Sequence, residues 1–137
     1  MKKYLNTSIV YAFLALAAGV FYREFTKLQG FAGETMLKKI HPHLFVLGTL
    51  FFLIVAVFAR HHDYHHRTSF KTAYVIYNVG LGLTTGMMLV RGVFQVLGTA
   101  LSEGVDTAIS GIAGFAHITL GLGVILFLFA LRKTAKS

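Results

Sequence analysis

Four apolar stretches, each long enough to cross a bilayer, take up most of a 137-residue chain and leave little of it to fold in any other way. A hydrocarbon core of about 30 Å is spanned by roughly 20 helical residues. Inside lipid no water pairs a backbone amide, so a lone spanning stretch must satisfy its own hydrogen bonds, as a helix does. The four stretches run over about 4–25, 41–60, 70–97 and 107–131. The chain is therefore expected to be an all-α membrane protein: one domain over 1–137, with four transmembrane helices in an up-down bundle. With 55% hydrophobic and 13% charged residues, it carries more apolar surface than a small soluble globule can hide.

The formal net charge of +8 would suggest nucleic acid in a soluble protein. Here the basic residues sit mainly at the ends of the stretches, where they set orientation and meet anionic headgroups, so the expected partner is the lipid bilayer and no nucleic acid. Lys2, Lys3, Arg60, Arg67, Lys71, Arg132, Lys133 and Lys136 fall on one side, against Lys27, Lys38 and Lys39 on the other, with Arg23 and Arg91 inside the spans. That asymmetry places both termini in the cytoplasm. Lys2-Lys3 followed by Ala15-Leu16-Ala17-Ala18 has the look of a signal peptide, but the first stretch is read as a retained helix. The absence of cysteine excludes disulfides, thiolate metal sites and iron–sulfur ligation.

The second stretch opens with His41-Pro42-His43-Leu44 and is then almost unbroken in its apolarity to Ala59. Pro42 suits the first position of a helix, where its missing N–H costs nothing. His41 and His43, if both helical, point about 200° apart, so one helix cannot aim both at one pocket. The third stretch is the most polar, with Asn78, Thr84, Thr85, Arg91 and Gln95, and Gly82 and Gly86 have the spacing that lets two helices approach closely. In the fourth, Gly111, Gly114, His117 and Gly121 form a small-residue stripe, which predicts a packed face and an inward His117. His41, His43, His117, Arg23, Arg91 and Gln95 then share one leaflet. Ionisable groups there cost on the order of 3 kcal/mol each at the bilayer centre, which makes them functional-site candidates.

Inward imidazoles below arginines suit a haem: iron takes His ligands, the macrocycle needs an apolar slot, and the propionates need cations at the polar edge. His41, His43 and His117 are the ligand candidates, with Arg23 and Arg91 toward the surface. Copper or zinc on the same three histidines is the alternative, since only all-His sites are open to a chain without Cys and with few carboxylates. A third reading is a non-catalytic scaffold or transporter subunit with the histidines as interhelical hydrogen bonds. No catalytic constellation is present. His61/His65 and His62/His66 have i, i+4 spacing, suited either to a divalent metal or to a solvated turn.

Through HPHLFVLGTLFFL (41–53) and GFAHITLGLG (114–123), the chain resembles an uncharacterised family of small four-span bacterial integral membrane proteins, which implies the bacterial cytoplasmic (inner) membrane. The His-x-His-Leu-x-x-x-Gly segment is also similar to helices of the haem–copper oxidase superfamily, whose catalytic subunit has twelve helices in three four-helix arcs. There a His-x-His ligates two different haems and arginines meet the propionates. That resemblance implies haem b ligation by His41 and His43 and a homotrimer standing in for one twelve-helix subunit. The tyrosine-linked copper motif of that superfamily is missing. The expected role is electron transfer, sensing or haem handling.

Overall fold

The computed structural model describes residues 1–61 and 68–134, and every regular element among them is helical. The elements are α1 (Lys2–Leu28), α2 (Leu37–His43), a π-helical segment (Leu44–Leu50), α3 (Phe51–His61), α4 (Thr68–Leu97) and α5 (Glu103–Thr134). Because α2, the π segment and α3 run on without a break, there are four spans, Lys2–Leu28, Leu37–Arg60, Thr68–Leu97 and Glu103–Lys133, each long and apolar enough to cross a membrane.

Two of the helices stop at a glycine in the left-handed region, Gly30 (φ 60°) after α1 and Gly98 (φ 63°) after α4. In both, the next residue donates back across the last turn, Phe31 N–H to Thr26 O at 2.9 Å and Thr99 N–H to Phe94 O at 3.2 Å, which pairs otherwise orphaned carbonyls.

The second span begins at Leu37, ahead of the proline-led start at His41 that the sequence predicts. Thr35, not Pro42, starts the helix. Its hydroxyl donates to Gly92 O at 2.9 Å and accepts the Leu37 N–H at 3.3 Å. The Met36 N–H donates to Gln95 Oε1 at 2.8 Å. The orphan donors of the first turn are thus met by a cap and by α4. Pro42 falls inside α2, where it supplies no N–H to the turn before it. The wide π turns follow directly, and they are held from both sides: Ser8 of α1 donates to Thr49 O at 2.8 Å, and Tyr77 of α4 donates to Leu47 O at 2.7 Å. Likewise α5 starts at Glu103 rather than near Thr107: the Ser102 hydroxyl accepts the Val105 N–H at 3.4 Å, and Glu103 and Asp106 lie in the positive first turn.

The core is aromatic. Phe52, Tyr77 and Phe127 are fully buried, and Phe51 stacks on Tyr77 with centroids 4.2 Å apart. Helix α5 docks on α4 through two glycines: a methyl at Gly80 would lie 2.4 Å from Leu120 N, and one at Gly123 would lie 2.6 Å from Tyr77 Cα. Such proximity is the close approach small residues permit. The Gly82/Gly86 pair does not serve it; both positions face open space within the chain. The Gly111/Gly114/Gly121 stripe also faces open space, and His117 beside it is exposed rather than inward. The packed face of α5 is instead Ala116, Leu120, Phe127 and Ala130, whose larger side chains fill the interface.

Candidate functional site

His43 and His117, separated by 74 positions in the numbering, line one cavity of about 310 Å³ between α2, α4 and α5. Met36, Lys39, Thr84, Met87, Met88 and Arg91 complete most of its wall. Each imidazole is tied down by its own helix: His43 Nδ1 lies 2.8 Å from Lys39 O, and His117 Nδ1 lies 2.8 Å from Ala113 O. A carbonyl only accepts, so Nδ1 carries the proton in both rings. Nε2 is then the nitrogen with a lone pair to give. An imidazole whose N–H is spent on a backbone carbonyl is the arrangement found behind metal-ligating histidines.

The rest of the cavity is apolar with cations at one end. Arg91 Nη2 donates to Asp106 Oδ1 and Ser110 Oγ, each at 2.8 Å, which joins the end of α4 to the start of α5. An arginine has five N–H donors, and these contacts use one nitrogen. Thr84 is fully buried, and its hydroxyl finds no hydrogen-bond partner among the described residues. A buried unpaired hydroxyl costs about 1–3 kcal/mol, so it is a marked feature on the wall of this cavity.

The other candidates lie elsewhere. His41 turns toward α1, as the 200° separation requires: its Nδ1 is 2.8 Å from Ala15 O, and Gly19 leaves the space for its ring. The three histidines do not converge, and among the described residues no three His, Asp or Glu side chains are placed to hold a metal ion. Arg23 is 80% exposed beside Glu24, on α1, and does not line the cavity of His43 and His117. The side chains of the His61–His66 cluster lie outside the described residues. Lys39 and Met87 line the site without having been singled out in the sequence. Lys39 was readable, since it sits four residues before His43 on the same helix face. Met87 carried no signal beyond its neighbour Met88.

Four helices are each long and apolar enough to cross a membrane, the make-up of a multi-pass membrane protein, and His43 and His117 line one cavity between α2, α4 and α5. The chain belongs to the family described as a protein of unknown function, DUF2871, whose model matches residues 1–134. No curated protein and no solved structure matches it. The comparisons thus show no likeness to the haem–copper oxidase superfamily.

Proposed function

We propose that this protein is a haem-binding integral membrane protein of the bacterial inner membrane, with both termini cytoplasmic, that serves electron transfer, sensing or haem handling. One observation carries the reading: His43 and His117 line the same cavity with Nδ1 of each spent on a carbonyl, leaving both Nε2 atoms as ligand nitrogens. The donor set suits haem. Two imidazoles, an apolar wall and the cations Lys39 and Arg91 at the rim match iron, macrocycle and propionates in turn. Bound there, haem would supply one-electron exchange; the chain's part is to fix the rings and to hold the propionate end near Arg91.

The cavity of about 310 Å³ is at the small end for a ligand site, and His117 is exposed. Enclosure of a macrocycle thus calls for a second copy. The open glycines of α5 favour a homo-oligomer, in our reading a trimer. Copper is the second reading: Met87 and Met88 line the same cavity, and thioether with imidazole suits Cu(I). Zinc fits less well, because one chain brings only two histidines together.

The test is a reduced-minus-oxidised spectrum of protein expressed with haem supplementation and purified in mild detergent. Soret and α bands are expected, and H43A and H117A should abolish them. Bands that survive both substitutions overturn this ligand pair. No bands but stoichiometric copper, lost in the same variants, favours the second reading. Neither haem nor metal leaves a scaffold.

A further inference from the structure

The face of the bundle between α1 and α4 carries a second feature that neither histidine reading uses. A groove of about 450 Å³, apolar over most of its wall, carries the polar side chains Lys3, Asn6, Thr7, Tyr74 and Asn78. An apolar groove of about 480 Å³ continues from it along Ala17, Ala18, Phe21, Gly82, Gly86 and Leu89. Tyr11 and Leu14 line both, so the two grooves adjoin, with the polar side chains at the Lys3 end, the head, and an apolar tail beyond. From Tyr11 to Phe21 the tail runs about 15 Å at 1.5 Å per residue, half the roughly 30 Å hydrocarbon thickness. The head is basic and has no carboxylate on its wall: Lys3 sits 3.6 Å over the Tyr74 ring, which orients it at the groove mouth.

We propose that this groove is a binding site for an anionic phospholipid, its phosphate met by Lys3 and Asn6 and one acyl chain lying over Gly82 and Gly86. The proposal rests on the membrane reading but not on haem. Charge selects the occupant: a basic, acid-free head adjoining an apolar tail fits an anionic amphiphile, whereas a helix from a second copy needs no cation. It also explains the Gly82/Gly86 spacing, which no helix among the described residues fills. A Cβ at either glycine would meet nothing within 4 Å, so neither position is closed by a packed neighbour.

The test uses delipidated full-length protein in detergent, with phosphatidylglycerol or phosphatidylcholine added and the rise in melting temperature and the lipid bound both measured. Phosphatidylglycerol should bind more tightly. K3Q should reduce that preference about fivefold, the equivalent of about 1 kcal/mol for one basic group at an anionic surface. G82L/G86L should abolish tight binding of either lipid while leaving any haem spectrum unchanged. Equal binding of the two lipids by the native chain overturns the proposal. So does a preference that survives G82L/G86L, or a native dimer that this variant converts to monomer without loss of lipid. If the double variant fails to fold, K3Q alone decides: an unchanged preference sinks the assignment.

Discussion

Gly80 and Gly82 are two residues apart in α4, and substituting each by alanine separates helix contact from helix propensity. At Gly80 the added methyl would lie 2.4 Å from Leu120 N and 2.6 Å from Leu120 Cα, both backbone atoms of α5. No side chain can rotate away, so the helices must part. Overpacking of this kind costs about 1–3 kcal/mol, and a backbone partner places Gly80→Ala at the upper end. At Gly82 the methyl meets nothing. Both substitutions gain the same helix propensity, about 1 kcal/mol. Gly82→Ala should therefore stabilise by up to that amount, and the difference between the two, about 3 kcal/mol, is the clash alone. The chain has no tryptophan, so unfolding by SDS in mixed micelles is followed by circular dichroism. Because α5 carries His117, Gly80→Ala should also weaken retention of whatever the His43–His117 cavity binds, and Gly82→Ala should not. Equal stabilities for the two variants would refute the close α4–α5 crossing on which the site is built.

Thr84→Val removes a buried hydroxyl without a partner and should raise the stability of ligand-free protein by about 1 kcal/mol in the same titration; a loss of that size would mean the hydroxyl is paired. Tyr77→Phe deletes the 2.7 Å bond to Leu47 O that clamps the π segment and should cost about 1 kcal/mol, with a null effect arguing against the clamp. Asp106→Asn breaks a half-exposed ion pair with Arg91 and should cost less than about 1 kcal/mol; a larger loss in the titration would make the pair a structural one. The Lys38 ammonium, hydrogen-bonded to Glu34, holds that carboxyl below its usual range. A depressed carboxylate stabilises above its ordinary pKa, and the contribution disappears as pH falls through the depressed value. Glu34→Gln should remove that acid-side decline from a stability–pH curve, and an identical curve would refute the pairing.

The spans were legible because lipid imposes one rule on backbone amides, and residues such as Leu44–Ala59 leave no second way to meet it. Their ends were less so. Pro42 is a strong local signal for a helix start, yet Thr35 and Met36 find acceptors on Gly92 and Gln95 of α4. A contact between residues more than 50 positions apart overrides the local preference, and no window around His41 contains it. The glycines teach the same thing. Gly82 and Gly86 have the recognised spacing, but Gly80 and Gly123 make the crossing, because closeness belongs to a pair of facing backbones and spacing describes one helix only.

The histidines follow from that crossing. The divergence of His41 and His43 was fixed by helical geometry two residues apart, and the structure keeps it, with one ring on Ala15 and the other in the cavity. The meeting of His43 with His117 was set by depth only in part. Depth puts both rings in one leaflet, but which face of α5 turns to α2 depends on Gly123 seating against Tyr77, while Tyr77 in turn holds Leu47 just beyond His43. One tyrosine thus touches the element behind each imidazole. A substitution there should move the two rings relative to each other even though neither ring touches it. Tyr77→Phe, which keeps the ring and loses only the hydroxyl, should disturb ligand retention less than Gly123→Ala, whose methyl would lie 2.6 Å from Tyr77 Cα. The reverse order, read from the same optical or metal assay, would mean that the π segment and not the α4–α5 crossing sets the cavity.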